Sequence, residues 1–390
     1  MKTHFGNIAS FKARARARAL AFIVVALITP QTAVAAFYQE AGNDWGYRAP
    51  IEIDASSALG STIIMNVDLD DLIGQTTAPG TLDPNSIRVV KNDTQLITEQ
   101  EINDGVYTGN ADATNNGRGE VRFILEDAPG SADYHLYFDI TANGSKPNNP
   151  AQVINGTFEQ ATATPTRWTT SAVNARGSQN NESYNTALNS DFSVPSGCNT
   201  SGAVVDNSPN NNSVSATGAG WHLMGYRNRC EDGKNNRSEL VRLTRSIRIP
   251  SGAASGTLDF AFQVQAWDGI STSNNYDWFS IYINNSFIDH RNMGVVAGFP
   301  PLVLESSRFG RSAFGTGLID HGWRNASINL GAYAGSTISV RFEARFSASD
   351  NSYRSWIKLD DVVWSAKEGK VGAAELDSAS VARFDISHDS

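Results

Sequence analysis

Leu258-Asp259-Phe260-Ala261-Phe262-Gln263-Val264-Gln265-Ala266-Trp267 is the stretch that decides the fold. In an extended chain successive side chains alternate, so Leu258, Phe260, Phe262 and Val264 share one face while Asp259, Gln263, Gln265 and Trp267 share the other. This predicts a half-buried strand with one core face and one wet face. The same period of two runs through Phe279-Ser280-Ile281-Tyr282-Ile283-Asn284 and through Ile338 to Phe346. Antiparallel strands of this kind stack as two sheets, in a sandwich or jelly roll.

Composition points the same way. Among 390 residues only 18% are charged, while glycine numbers 33 and Asn, Ser and Thr are abundant. That mixture favours turns and short strands over long helices. Lys and Arg total 31 against 40 Asp and Glu, a net charge of -9. No basic face for phosphates is implied, which sets nucleic acid aside as a partner.

Working outward, the chain begins with Lys2, Lys12, Arg14, Arg16 and Arg18, then the apolar run Ala19 to Ile28, Pro30 and the small-residue site Ala33-Val34-Ala35-Ala36. These are the three parts of a secretory signal peptide over residues 1–36. The apolar run is shorter than the roughly 18–20 residues that span a bilayer. Cleavage removes five cations and no acid, so the exported chain is distinctly acidic. No later stretch is apolar enough to span a membrane. The expected location is extracellular, on the cell surface or in the periplasm. Cys198 and Cys230, the only cysteines, are expected to form one disulfide in that oxidising compartment, contributing about 2–4 kcal/mol as scaffold.

Residues 37–144 form one predicted segment, closed by the linker-like Asn143-Gly144-Ser145-Lys146-Pro147-Asn148-Asn149-Pro150. Strand-length runs within it are 47–53, 63–69, 86–90, 120–125 and 134–140. Residues 151–366 form the second segment, with Asn174 to Asn236 a long Asn/Ser/Gly-rich excursion. Residues 367–390 are a polar tail in which Val381 to His388 begins another alternating run. The expected architecture is all-β: two tandem antiparallel β-sandwiches of jelly-roll, concanavalin-like form.

Candidate chemistry lies mainly in the second segment. Ile154-Asn155-Gly156-Thr157-Phe158-Glu159 opens it and Ile357-Lys358-Leu359-Asp360-Asp361-Val362-Val363-Trp364 closes it. Pairing of these ends would gather Glu159, Asp360 and Asp361, a set of oxygens suited to a hard cation. Two solvated acidic strand ends fit the same spacing equally well. Trp267 beside Gln263 and Gln265, and Trp278 with Tyr282 opposite Phe279 and Ile281, are candidate sugar platforms: an aromatic ring takes the apolar face of a pyranose while amides bond its hydroxyls. Packing beneath a loop is the competing reading for each Trp, and Trp221, Trp323, Trp356 and Trp364 are assigned to packing first. Catalysis has little support. His4, His135, His222, His290, His321 and His388 are scattered, with neither His-Glu-x-x-His nor Gly-x-Ser-x-Gly.

The opening Asn-Gly-x-Phe-Glu and closing Leu-Asp-Asp-Val resemble those of jelly-roll carbohydrate-binding modules and the related MAM-type extracellular domains. The resemblance implies a structural calcium ion on Glu159 and Asp360, with Asp361 the substitute. Asp44-Trp45-Gly46-Tyr47-Arg48-Ala49-Pro50-Ile51, Leu82 to Val89 and Tyr134 to Asp139 are similar to sandwich domains of large bacterial surface proteins. Phe384-Asp385-Ile386-Ser387-His388-Asp389 resembles the repeat region of MSHA pilus agglutinin biogenesis (MshQ-like) proteins, which would make this the front part of a longer chain. The expected function is non-catalytic binding of a glycan or glycoprotein, with pilus components as further partners. Two alternatives stay open: a polysaccharide-active enzyme (glycoside hydrolase or polysaccharide lyase) or its targeting module, and a structural spacer.

Overall fold

The computed structural model describes residues 37–103, 117–154, 156–158, 167–173, 179–185, 220–226, 239–266, 277–288, 293–295, 308–309, 319–346 and 355–377. A short ribbon, β1 (Gln39–Glu40) and β2 (Asn43–Asp44), precedes the first sandwich. That sandwich contains β3 (Tyr47–Ile53), β4 (Thr62–Asp68), the short helix α1 (Leu69–Gly74), β5 (Arg88–Lys91), β6 (Gln95–Leu96), β7 (Gln100–Asn103), β8 (Arg118–Ile124) and β9 (Tyr134–Phe138). The expected strands of this segment are therefore present, within a residue or two at most ends. Asp68 caps α1 by accepting from the Asp71 amide, and the helix buries Leu69, Leu72 and Ile73.

The second sandwich contains β10 (Thr169–Val173), β11 (Gln179–Asn185), β12 (Gly220–Tyr226), β13 (Glu239–Arg248), β14 (Thr257–Ala266), β15 (Asp277–Ile283), β16 (Ser286–Phe287), β17 (Met293–Val295), β18 (Arg308–Phe309), β19 (Ile319–Asn329), β20 (Thr337–Phe346) and β21 (Ser355–Trp364). These form two sheets, one ordered β10-β13-β20-β15-β16 with β18 on β15, the other β11-β12-β21-β14-β19-β17. Both are antiparallel throughout their described pairings. The excursion from Asn174 to Asn236 thus holds two strands, β11 and β12, which pair with each other over seven residue positions. The polar composition of β11 and of the residues around β12 hid them.

Alternation places the core. Leu258, Phe260 and Phe262 of β14 meet Phe279 and Ile281 of β15, Leu243 of β13, Phe342 of β20 and Leu359 of β21 between the two sheets. Each such side chain contributes about 1.5–3 kcal/mol by leaving water. The first sandwich has its own core, with Tyr47, Ala49, Ile63, Met65, Phe123, Leu136 and Phe138 at its centre.

The chain then returns. β22 (Ala366–Val371) and β23 (Glu375–Leu376) are strands of the first sandwich. β22 lies parallel to β4 over residues 366–368 and antiparallel to β3 over residues 369–371, so it joins the two halves of that sheet. At the crossover a side chain on Gly369 would press into Ile63 and Met65. β23 pairs with the start of β3, and Arg48 of β3 meets Glu375 at 2.8 Å. The second sandwich is consequently enclosed in sequence between strands of the first. The stretch from Lys367 that reads as a polar tail supplies these strands through Leu376, while Val381 to His388 lies outside the described residues.

Polar contacts join the two sandwiches. Arg245 donates to the Ile154 carbonyl and pairs with Glu99 at 2.7 Å, with its guanidinium 4.7 Å from the Trp364 ring. Burial draws this guanidinium down to about 10, against the opposing pull of Glu99. No described helix is long and apolar enough to cross a membrane.

Candidate functional site

The residues predicted to hold a ligand fall on two different sheets. Gln263 and Gln265 are on β14, whereas Trp278 and Tyr282 are on β15 of the opposing sheet. Trp267 lies outside the described residues.

The β14 face is not the wet surface that alternation alone implies. Gln263 is 0% exposed, paired in register with Lys358 of β21 and Trp323 of β19. Lys358, Trp221 and Leu223 on the same side are buried as well, and the Lys358 ammonium sits 4.8 Å from the Trp221 ring centroid. A period of two distinguishes the faces of a strand but does not say whether the second face meets water. Trp221, Trp323 and Trp364 are buried, in keeping with packing. Gln265 occupies the pair position opposite Asp320 and Trp356.

The β15 face is different. Cross-strand partners share a face, and register sets Trp278 opposite Arg345, Ser280 opposite Glu343 and Tyr282 opposite Arg341, with Arg308 of β18 on the other side of Trp278. The Arg341 guanidinium stands 4.1 Å from the Tyr282 ring centroid and donates to Asn285 Oδ1 at 2.8 Å. Phe287 of β16 presents its edge to the same ring, with centroids 5.8 Å apart, and is 46% exposed. Asn284 and Asn285 form the tight turn between β15 and β16, both at positive φ, the conformation that asparagine tolerates in such hairpins. Glu343 is nearly buried between Arg242, at 2.6 Å, and Arg341, at 3.5 Å. Arg242, Arg341, Glu343, Asn285 and Phe287 were not anticipated as site residues. The alternation of Ile338 to Phe346 carries the signal for Arg341 and Glu343, since Val340, Phe342 and Ala344 point inward and leave Arg341, Glu343 and Arg345 on the outer positions.

The split acidic motif does come together through its backbone. Val362 donates its amide to the Gly156 carbonyl at 2.8 Å, which brings 156–158 against the end of β21. A Cβ on Gly156 would fall onto the Val362 carbonyl oxygen, so glycine is required there. Asp360 is buried and accepts from the Asp361 amide at 2.7 Å, while Asp361, at φ 50°, turns toward Arg122 of β8, 3.8 Å away. Nearby, buried Glu101 accepts from the Thr157 hydroxyl at 2.6 Å. Burial pushes the Glu101 carboxyl up, opposed by Arg122 and by the bonds from Thr157 and Gly156. Glu159 lies outside the described residues, as do Cys198 and Cys230. Among the described residues, no three His, Cys, Asp or Glu gather where they could hold a metal ion.

No family model matches the chain, and no curated protein matches it. Among solved structures it is similar to the K1 cleaved adhesin domain of Lys-gingipain from Porphyromonas gingivalis, at 15% identity and a TM-score of 0.26, covering 54% of this chain and 96% of that one. A carbohydrate-binding module of the β-sandwich superfamily aligns at 11% identity and a TM-score of 0.22, covering 82% and 98%. The ANX2 ectodomain from Arabidopsis thaliana aligns at 9% identity and 0.19, covering 83% and 90%. Scores of this size assign no function, and the all-β sandwich architecture rests on the strand pairing described above.

Proposed function

We propose that the chain is an exported, non-catalytic binding protein of the cell surface that takes a glycan or glycoprotein on the outer face of the β15 sheet. The single observation that carries this reading is Tyr282, with Arg341 over its ring, exposed Phe287 at its edge and the amide of Asn285 beside it. An apolar ring surface bordered by hydrogen-bonding groups is what a sugar needs, because a pyranose has an apolar face and a rim of hydroxyls. Trp278, four residues before Tyr282 at another outward position of β15, is the second aromatic of the proposed platform. A pilus-associated setting agrees with the surface-protein resemblance. We further propose that a structural calcium ion uses Asp360 and Glu159, with Asp361 as the substitute ligand, where Gly156 and Val362 join the ends of the second sandwich.

The test is retention on a glycan array of the mature chain, beside Tyr282→Ala and Trp278→Ala variants of unchanged melting temperature. Selective retention that both substitutions reduce supports the assignment. Retention that neither substitution alters removes it from this face.

A further inference from the structure

The outer face of the β15 sheet carries an excess of arginine that the binding of a neutral sugar does not require. Arg242 and Arg341 are partly exposed there, and Arg248 is exposed on the same side of β13. Register adds Arg345 and Arg308, the two cross-strand neighbours of Trp278. Glu343 is the one acid at the outward positions of β10, β13, β15, β18 and β20. Arginine therefore outnumbers acid at these outward positions, on a chain whose net charge is -9. Arginine presents a planar fork of donors matched to carboxylate and sulfate oxygens, and it is more weakly hydrated than lysine.

From this charge complementarity we infer that the ligand is an acidic polysaccharide, one bearing uronate or sulfate groups, with its rings against Tyr282 and its anionic groups on Arg341 and Arg242. The inference rests on the glycan reading above and narrows it to a substrate class. Glu343 orients the two arginines from below: it accepts from the Nε of Arg242 and lies 3.5 Å from the Nε of Arg341.

Polygalacturonate and its methyl ester provide the test, since they share a sugar backbone and differ in charge; alginate, hyaluronan, heparin and neutral dextran complete the set. The mature chain should retain at least one of the acidic polymers, with affinity falling as salt rises, because screening weakens exposed charge pairs. If polygalacturonate is the one retained, its ester should bind at least about tenfold more weakly, the equivalent of losing one charge-assisted pair. Arg341→Gln should weaken acidic-polymer retention about tenfold. Arg341→Lys should restore only part of it, because the ammonium keeps the charge but lacks the fork. Full recovery with lysine would show non-specific attraction and overturn the inference. Equal retention of ester and acid, or retention of dextran alone, would overturn the acidic class and leave the glycan reading standing. Absence of retention on every polymer and on the wider array would overturn both.

Discussion

The amide of Val362 donates to the carbonyl of Gly156 at 2.8 Å, and that bond closes the two ends of the second sandwich on each other. One partner opens the domain and the other lies two residues from the last position of β21. Both chain crossings to the first sandwich therefore leave from one place, beside Glu101, Arg122 and Arg245.

This closure makes Gly156 intolerant of any side chain. In Gly156→Ala the new methyl group meets backbone, which cannot swing aside as a side chain can, and the expected cost is about 3 kcal/mol. Urea unfolding of the purified variant should show the midpoint lowered with an unchanged slope. A midpoint within error of the parent would mean that Gly156 does not approach β21 this closely.

The calcium proposal has an independent thermal readout. A cation that binds only the native state stabilises it by mass action, about 2.7 kcal/mol when present at a hundredfold over its dissociation constant. Adding chelator should lower the melting temperature of the parent and leave that of Asp360→Asn unaltered. If the parent melts identically with calcium and with chelator, Asp360 is a buried structural acid that holds the Asp361 turn.

His222 should make stability depend on pH. The side chain is fully buried, 5.4 Å from the Phe158 ring, and burial draws the imidazole from 6.5 down to about 3. Above about pH 6.5 both folded and unfolded states are neutral and the contribution to stability is complete. As pH falls below that value the unfolded chain takes a proton that the native state refuses, and stability is lost progressively toward pH 3. Between pH 7 and pH 5 the parent should lose about 2 kcal/mol more than His222→Gln. Denaturant midpoints at the two pH values give the comparison, and parallel losses would show that His222 is protonated in the fold.

Much of the architecture was legible because alternation is a local property. Leu258, Phe260 and Phe262 could be placed on one face from ten residues of sequence, and the structure buries all three. What lies over the opposite face is not local, and Gln263 shows the consequence: its side chain is polar, alternates correctly and is fully buried. The partnership of Arg341 with Tyr282 joins residues 59 positions apart in sequence, so it required the register of β15 on β20. β11 escaped notice because a strand rich in Asn and Ser reads as a loop when its pairing partner is unknown, and the short apolar run of β12 was passed over inside the polar excursion that surrounds it. The return of residues 366–376 to the first sheet carried no local signal either, since Ala-Lys-Glu-Gly-Lys-Val has weak strand propensity and forms β22 only because β3 and β4 lie on either side of it.

That return yields the last prediction. β22 is the piece of backbone through which β3 and β4 belong to one sheet, and β23 adds the Arg48–Glu375 pair at the beginning of β3. A chain ended after Trp364 leaves the edge groups of β3 and β4 without their partners and uncovers Ile63 and Met65, against which Gly369 sits. Unpaired backbone and newly exposed core both penalise the first sandwich, whereas the core of the second keeps all its members. The truncated chain should therefore unfold in two steps, the earlier one reported by exchange or proteolysis in residues 47–138 and the later by protection of β13, β14 and β20. Substitution of Glu375 by Ala tests the smaller contribution: the Arg48 pair is partly exposed on one side, so the loss should stay within about 1 kcal/mol. A truncated chain that melts in one transition at the parent's temperature would show that β22 adds nothing to the first sandwich, contrary to its place between β3 and β4.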